Sequence, residues 1–247
     1  MIYDSDHPLA QQTAIVTGGS SGIGKACAIA LGQAGANVIV NYAGNPRGAE
    51  EAVAEIEAGG GKGLPFKADV SQKSQVDAMF KAAVDTFGTV DILVNNAGIF
   101  DFADAPPSCA AIDAVRRVME VNFIGALAVT QAVLPLLSTS TAGRIVNVSS
   151  SLGSLTLNGD PTSTYYSQQF IGYNASKASL NMLTIQLHQE LKETGVIVNS
   201  VSPGFVKTDL TGYGNMTPEE GARLPVQYAL TATTSGTFVE PENTTPW

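Results

Sequence analysis

The chain has 247 residues, 44% hydrophobic and 14% charged, with 13 Lys plus Arg against 22 Asp plus Glu and a formal net charge of −9. That length suits one large α/β domain or two small ones, and the apolar share can fill a core. The acidic balance argues against nucleic-acid or anionic-membrane partners, two cysteines give no disulfide framework, and no run approaches the ~18 apolar residues of a membrane span. Met1 to Pro8 has neither a basic start nor an apolar stretch. No secretory leader is therefore expected, and a cytoplasmic location with Cys27 and Cys109 reduced is the simpler expectation. His7 and His188 are far apart and isolated, so no metal is expected.

In chain order, Thr13 to Thr17 is a short β-branched run that predicts a buried strand. It meets Gly18-Gly19-Ser20-Ser21-Gly22-Ile23-Gly24, followed by helical spacing through Ala34. Val38 to Val40 predicts a second strand, Glu50 to Ala58 a helix stopped by Gly59-Gly60-Gly61, and Leu64 to Ala68 a third strand before Asp69-Val70. Gln75 to Phe87 reads as a helix, Ile92 to Val94 as a strand running into Asn95-Asn96-Ala97-Gly98, and about Ala114 to Leu137 as a long helix. Arg144 to Val148 is the next strand, ending at Ser149-Ser150-Ser151. A helix with Leu180, Leu183, Leu187 and Leu191 on one stripe follows, then Val196 to Val201 and Ser202-Pro203-Gly204. From about Gly212 the Thr/Pro/Gly-rich tail gives no clear assignment. Alternating strands and helices predict a doubly wound, Rossmann-type parallel sheet with helices on both faces. One dinucleotide-binding and catalytic domain over residues 1–247 is expected. Ligands of such sheets bind beyond the carboxyl ends of the strands, where all these motifs fall.

Tyr173 and Lys177 are four apart on the predicted helix and share a face. An ammonium beside a phenol favours the phenolate, so the pair predicts a tyrosine pKa below about 10 and a proton exchanged near neutrality. A solvated Tyr and Lys would give the same spacing. The glycine cluster lies between strand and helix, where a pyrophosphate can approach the backbone and a helix N-terminus; a tight turn would also need glycine. Asp69 suits either an adenine amine or a helix cap. Asn95 and Asn96 suit backbone satisfaction, with Ala97-Gly98 leaving room for a flat ligand.

Taken together, Thr17-Gly18-x-x-x-Gly22-Ile23-Gly24, Asn95-Asn96-Ala97-Gly98, Ser149-Ser150, Tyr173-x-x-x-Lys177 and Pro203-Gly204 resemble the short-chain dehydrogenase/reductase family over about Thr13 to Leu210. The resemblance implies hydride transfer between a nicotinamide cofactor and a small carbonyl or alcohol substrate. Tyr173 would be the general acid or base. Lys177 would tune it and hold the nicotinamide ribose, and Ser150 would hydrogen-bond the substrate oxygen. Asn122 would support a proton relay; its plainer role is to satisfy backbone. Cofactor contacts would come from Gly18, Ser20, Ser21, Gly22, Ile23, Gly24, Tyr42, Arg47, Asp69, Val70, Asn96, Ala97, Gly98, Tyr173, Lys177, Pro203, Gly204, Val206 and Thr208.

Three features depart from the family's pattern. Ser150 and Tyr173 are 173 − 150 = 23 residues apart, where about thirteen is common and would land on Asp160. An insertion of about ten residues within Ser154 to Ile171 is therefore expected. Carrying Tyr165, Tyr166 and Phe170, it would form a wall of the substrate pocket. Tyr42 stands where NAD-preferring members place an acid, and Arg47 is near enough in sequence to meet a 2′-phosphate, so NADP(H) is expected, with NAD(H) as the alternative. The chain lacks the aspartate-glycine-glycine ending of tetrameric members and closes on Pro246-Trp247, which is similar to the carbonyl-reductase-like branch. Both monomer and homo-oligomer remain compatible. The other readings are an epimerase or dehydratase on the same fold, and a non-catalytic NAD(P)-binding regulator.

Overall fold

The strands Thr13–Val16 (β1), Asn37–Tyr42 (β2), Lys62–Lys67 (β3), Ile92–Asn95 (β4), Arg144–Val148 (β5), Ile197–Val201 (β6), Phe238–Glu240 (β7) and Asn243–Thr244 (β8) form one sheet in the order β3-β2-β1-β4-β5-β6-β7-β8. All neighbours pair in parallel except β7 with β8. These are features of a computed structural model that describes residues 7–247. Most of the Met1 to Pro8 stretch read for a leader lies outside the described residues. The predicted doubly wound sheet is observed.

The helices are Gly22–Gln33 (α1), Pro46–Ala58 (α2), Lys73–Phe87 (α3), Ile112–Met119 (α4), Ala126–Leu137 (α5), Leu155–Gly159 (α6), Ile171–Leu191 (α7) and Pro218–Thr231 (α8). Two apolar clusters cover the two faces of the sheet. One joins Val16, Val38, Val40 and Val94 to Leu31 and Ile56; the other joins Ile15, Ile39, Leu93 and Ile145 to Met79, Val133, Leu180 and Leu187. The alternation of Ile15 with Val16 and of Ile39 with Val40 between clusters follows from the period-two side-chain geometry of a strand. Strands β1 and β4 bury every residue, whereas β3 lies at the sheet edge and buries none fully, which accommodates Pro65 within it.

The predicted long helix is interrupted: Glu120–Gly125 forms a π-helical turn between α4 and α5, and Asn122 lies on it. Gly125 sits against Val70, where a Cβ would meet Val70 Cγ2 at 2.8 Å. By length and hydropathy, Ile112–Leu137 passes as a membrane span, contrary to the expectation that no run approaches one. Here Val118, Val129, Val133 and Leu137 are buried within the molecule. The unassigned tail becomes α8, begun by a capping box of Thr217 and Glu220, and then β7 and β8.

The order of strands reverses direction between β1 and β4, since the chain runs outward through β2 and β3 on one side and through β5 to β7 on the other. This switch point opens a crevice at the carboxyl ends of the strands.

Candidate active site

Thr17, Gly18 and Asn96 close the floor of that crevice. The Thr17 hydroxyl donates to Val94 O and accepts from the Asn96 and Ala97 N–H groups, while Asn96 Nδ2 donates to Thr17 O and Gly18 O. Gly18 N donates to Asn41 Oδ1, and Asn41 Nδ2 donates to Ala68 O. The glycine loop is thus fastened to β2, β3 and β4. A Cβ on Gly24 would collide with Asn96 Nδ2 and Gly18 O, and Gly18 adopts φ +64°, so both positions require glycine. Helix α1 follows Ser21, whose side chain makes no cap hydrogen bond, so the helix start offers free N–H groups, and Ser21 to Gly24 line the crevice.

The crevice measures about 670 Å³. Of the sequence-predicted contacts, Gly18, Ser20, Ser21, Gly22, Ile23, Gly24, Asp69, Val70, Asn96, Ala97, Gly98, Tyr173, Lys177, Pro203 and Thr208 line it together. Asp69 Oδ1 accepts from Ser71 N and Oγ, which is the turn-forming role; its carboxylate still borders the crevice.

Tyr42, Arg47, Gly204 and Val206 do not line it. Tyr42 packs on the core cluster beneath α1, because the strand period turns Asn41 to the crevice side instead. Arg47 is exposed on α2 and donates to Glu51 at 2.9 Å. Val206 is buried and bridges to Met216, and Gly204 serves a turn at φ +87° beside Met216. The lining at the end of β2 and just after it is Asn41, Ala43, Gly44 and Asn45, without a charge.

Tyr173 and Lys177 occupy the first two turns of α7. Lys177 Nζ donates to Val148 O at 2.8 Å and lies 5.7 Å from the Tyr173 ring centroid. The expected depression of the tyrosine is not observed. Burial pushes the phenol up to about 12, and a hydrogen bond with Ser150 acts in the opposite direction to a lesser extent. Burial also pulls Lys177 down to about 8. Desolvation disfavours both charged forms and outweighs the attraction between them when the ammonium is held by a carbonyl.

The three adjacent serines separate cleanly. Ser149 lines the crevice but its Oγ donates to Asn181 Oδ1, and Ser151 Oγ donates to Glu240 Oε2 away from the crevice. Ser150 meets Tyr173, and its Oγ accepts from Leu152 N, although Ser150 is not itself among the crevice-lining residues. Asn122 Oδ1 accepts from Ile99 N, and Nδ2 donates to Ile99 O and Ser176 Oγ. Its amide therefore satisfies loop backbone; Gly98 separates it from Lys177, since a Cβ there would lie 3.4 Å from Asn122 Oδ1 and 3.7 Å from Lys177 Nζ.

Sequence reasoning named Phe170 and gave Asn95 only a backbone role, and it missed Phe100, Phe102, Asn147, Thr184 and Ser200, which organise these groups with them. Phe100 meets Phe102, Phe170 and Tyr173 edge to face, at centroid distances of 5.8, 5.1 and 5.7 Å, and Phe100 and Phe102 line the crevice. Asn95 Nδ2 donates to Asn147 Oδ1, Asn147 Nδ2 donates to Thr184 Oγ1, and Thr184 hydrogen-bonds Ser200, a buried polar chain below the site. Polar side chains inside β-strands at Asn95, Asn147 and Ser200 were the available signal. A second groove of about 800 Å³ lies between α1 and α8 and shares only Gly22 with the predicted site residues.

An uncapped helix start, glycines with no room for a side chain, a neutral flat slot at Ala97-Gly98 and a lysine at its end suit a nicotinamide dinucleotide. The model for short chain dehydrogenases matches residues 12–218. The chain is 39% identical over 210 residues to a 3-oxoacyl-[acyl-carrier-protein] reductase of Synechocystis, covering 85% of this chain and 80% of the relative. It is 37% identical over 222 residues to 3beta-hydroxysteroid dehydrogenase 1 of Eggerthella lenta, covering 90% and 79%. A dehydrogenase/reductase crystal structure from Sinorhizobium meliloti superposes with a TM-score of 0.82 at 29% identity, covering 95% of each chain. With the fold, the glycine loop and the Tyr173–Lys177 helix in agreement, the chain belongs to the short-chain dehydrogenase/reductase family of oxidoreductases, whose members bind nicotinamide cofactors.

Proposed function

We propose that the protein reduces an apolar carbonyl compound, or oxidises the matching alcohol, with NADP(H) preferred over NAD(H). The observation that carries this is the meeting of the Tyr173 phenol, Ser150 and the Lys177 ammonium at the carboxyl end of β5, beside the dinucleotide crevice. The cofactor supplies the hydride when bound. Tyr173 donates its proton to the carbonyl oxygen, and a phenol held near 12 stays protonated at neutral pH, which suits the reductive direction. Ser150 orients the same oxygen. Lys177 offers its ammonium to the nicotinamide ribose, and Asn122 holds the loop that carries Ile99.

Phe100, Phe102 and Phe170 give the substrate side an aromatic face. This supports an apolar substrate and a branch close to carbonyl reductases. Within the insertion, Phe170 packs on Phe100 and Tyr166 is exposed, while no residue of 154–171 lines the crevice itself, so the segment would reach the substrate only through Phe100. These relatives are named for different substrates, an acyl carrier conjugate and a steroid among them, so their names set the reaction class rather than the substrate.

The NADP(H) preference rests on the absence of a carboxylate among Asn41, Ala43, Gly44 and Asn45. Arg47 would have to leave Glu51, an exposed pair that contributes little, to meet a 2′-phosphate. Residues 18 to 210 contribute to one crevice, which favours a single unit over 1–247. A cytoplasmic protein without nucleic-acid or membrane partners fits the net charge of −9. The test is loss of NADPH absorbance with a panel of ketones, aldehydes and quinones. Turnover of apolar ketones is expected; an absence of turnover across the panel, with NADPH bound, would favour the regulator instead.

A further inference from the structure

We propose that Asp104 is a positioning residue that sets where the Tyr173 phenol stands. Helix α7 has no cap of its own, since the Phe170 side chain cannot accept a hydrogen bond. Its first N–H groups are bonded instead by a segment nearly seventy residues away. Ile171 N donates to Ala105 O, Gly172 N donates to Asp104 Oδ1 at 2.9 Å, and Tyr173 N donates to Asp104 Oδ2 at 2.7 Å. Asp104 Oδ1 also accepts from Ala105 N. The carboxylate is 7% exposed, and both oxygens are used. A negative group at a helix N-terminus is well placed, and one aimed at the tyrosine's own N–H fixes that residue's backbone directly.

The approach is close. A Cβ on Gly172 would stand 3.1 Å from Asp104 Oδ2 and 3.1 Å from Val115 Cα, so the glycine lets the helix start press onto the carboxylate. The other end of the same loop is fixed as well, because Ile99 exchanges both backbone bonds with Asn122. Between these anchors Phe100 rests against the Tyr173 ring. The segment 99–105 is therefore a bracket that ties Asn122, Phe100 and the backbone of Tyr173 into one unit. Asp104 is its lower fastening.

This inference rests on the proposed role of Tyr173 only for its kinetic readout. Asp104→Ala and Asp104→Asn would be compared with the unmodified protein, together with Gly172→Ala, by kcat per folded molecule, NADPH dissociation constant, and the ¹³Cζ resonance of Tyr173 assigned through Tyr173→Phe. Asp104→Ala is expected to lower kcat on the order of 10- to 100-fold, the scale of a small misplacement of a reacting group. NADPH affinity should stay within about threefold, because Asp104 is not part of the crevice lining. Asp104→Asn keeps an acceptor for Gly172 and loses the one for Tyr173, so it should recover part of the rate. The Tyr173 resonance should move in all three variants. If Asp104→Ala does not fold, Asp104→Asn and Gly172→Ala carry the same test. Folded variants with the Tyr173 resonance and kcat unchanged would overturn the proposal and reduce Asp104 to a helix cap. Should the unmodified protein turn over no carbonyl compound, the hydride-transfer reading fails, and the Tyr173 resonance alone decides on Asp104.

Discussion

At the scale of single residues, the chemistry is set by desolvation. Lys177 is held near 8, below its unfolded value of 10.5, so burying its ammonium weakens the fold below pH 8. That cost is relieved as pH rises from about 8 to about 10.5, because the unfolded chain there binds the extra proton. Tyr173 acts with the opposite sign: held near 12 against 10 unfolded, its contribution is present below pH 10 and is lost as pH rises from about 10 to about 12. Urea unfolding of the unmodified protein and Lys177→Met at pH 7 and pH 10 should show the unmodified protein gaining on the order of 2 to 3 kcal/mol relative to the variant. A pH-independent difference would mean that the ammonium is better solvated than its position against Val148 implies. The serines give a second test. Ser150→Ala should lower kcat with little change in cofactor affinity, while Ser151→Ala should mainly loosen the contact with Glu240 and lower Tm. A greater kcat loss in Ser151→Ala than in Ser150→Ala would shift the register of the substrate-binding serine.

At the scale of elements, the glycine loop and the insertion make contrasting predictions. Gly24→Ala places a methyl against Asn96 Nδ2 and Gly18 O, so NADPH binding measured by fluorescence should weaken by at least about tenfold or the chain should fail to fold. The insertion is tied down at α6, where Thr156 N and Oγ1 both donate to Trp247 O, and at α7, where Asn174 Nδ2 donates to Asn158 Oδ1. Replacing residues 154–171 by a segment of the family's usual length should change KM and selectivity across a ketone panel and leave NADPH affinity within about threefold. Unchanged selectivity would make the insertion a length-tolerant surface loop. Strands β1 to β6, the glycine loop and the α7 pair were legible because periodicity and glycine spacing are local. The start of α2 at Pro46 was missed by four residues, although Asn45 accepting from Gly48 N followed by a proline is a regular helix opening. Helix α8 and β7 were missed because the tail's Thr/Pro/Gly composition hides Thr217-Pro218-Glu219-Glu220, and because β7 is three residues long and depends on pairing with β6. Asp104 and Phe100 could not be found from spacing, since their partners are distant in the chain.

At the scale of the whole molecule, one crevice at the switch point gathers groups from β1, β2, β4, β5, α1 and α7, and its chemistry depends on all of them holding register. Cofactor choice belongs to this scale. The uncharged stretch Asn41 to Asn45 should give a higher kcat/KM with NADPH than with NADH; equal values would remove the argument from the missing acid. Ala43→Asp, which puts a carboxylate in that stretch, should move the preference towards NADH. The central claim is that Tyr173 delivers a proton beside a bound nicotinamide. Its most direct test is single-turnover NADPH oxidation with an apolar ketone by the unmodified protein and by Tyr173→Phe, with NADPH affinity measured on both. The rate in Tyr173→Phe is expected to be lower by about 10²–10⁴ at unchanged NADPH affinity, since only the transferable proton is removed. A Tyr173→Phe protein that oxidises NADPH at the unmodified rate would contradict it.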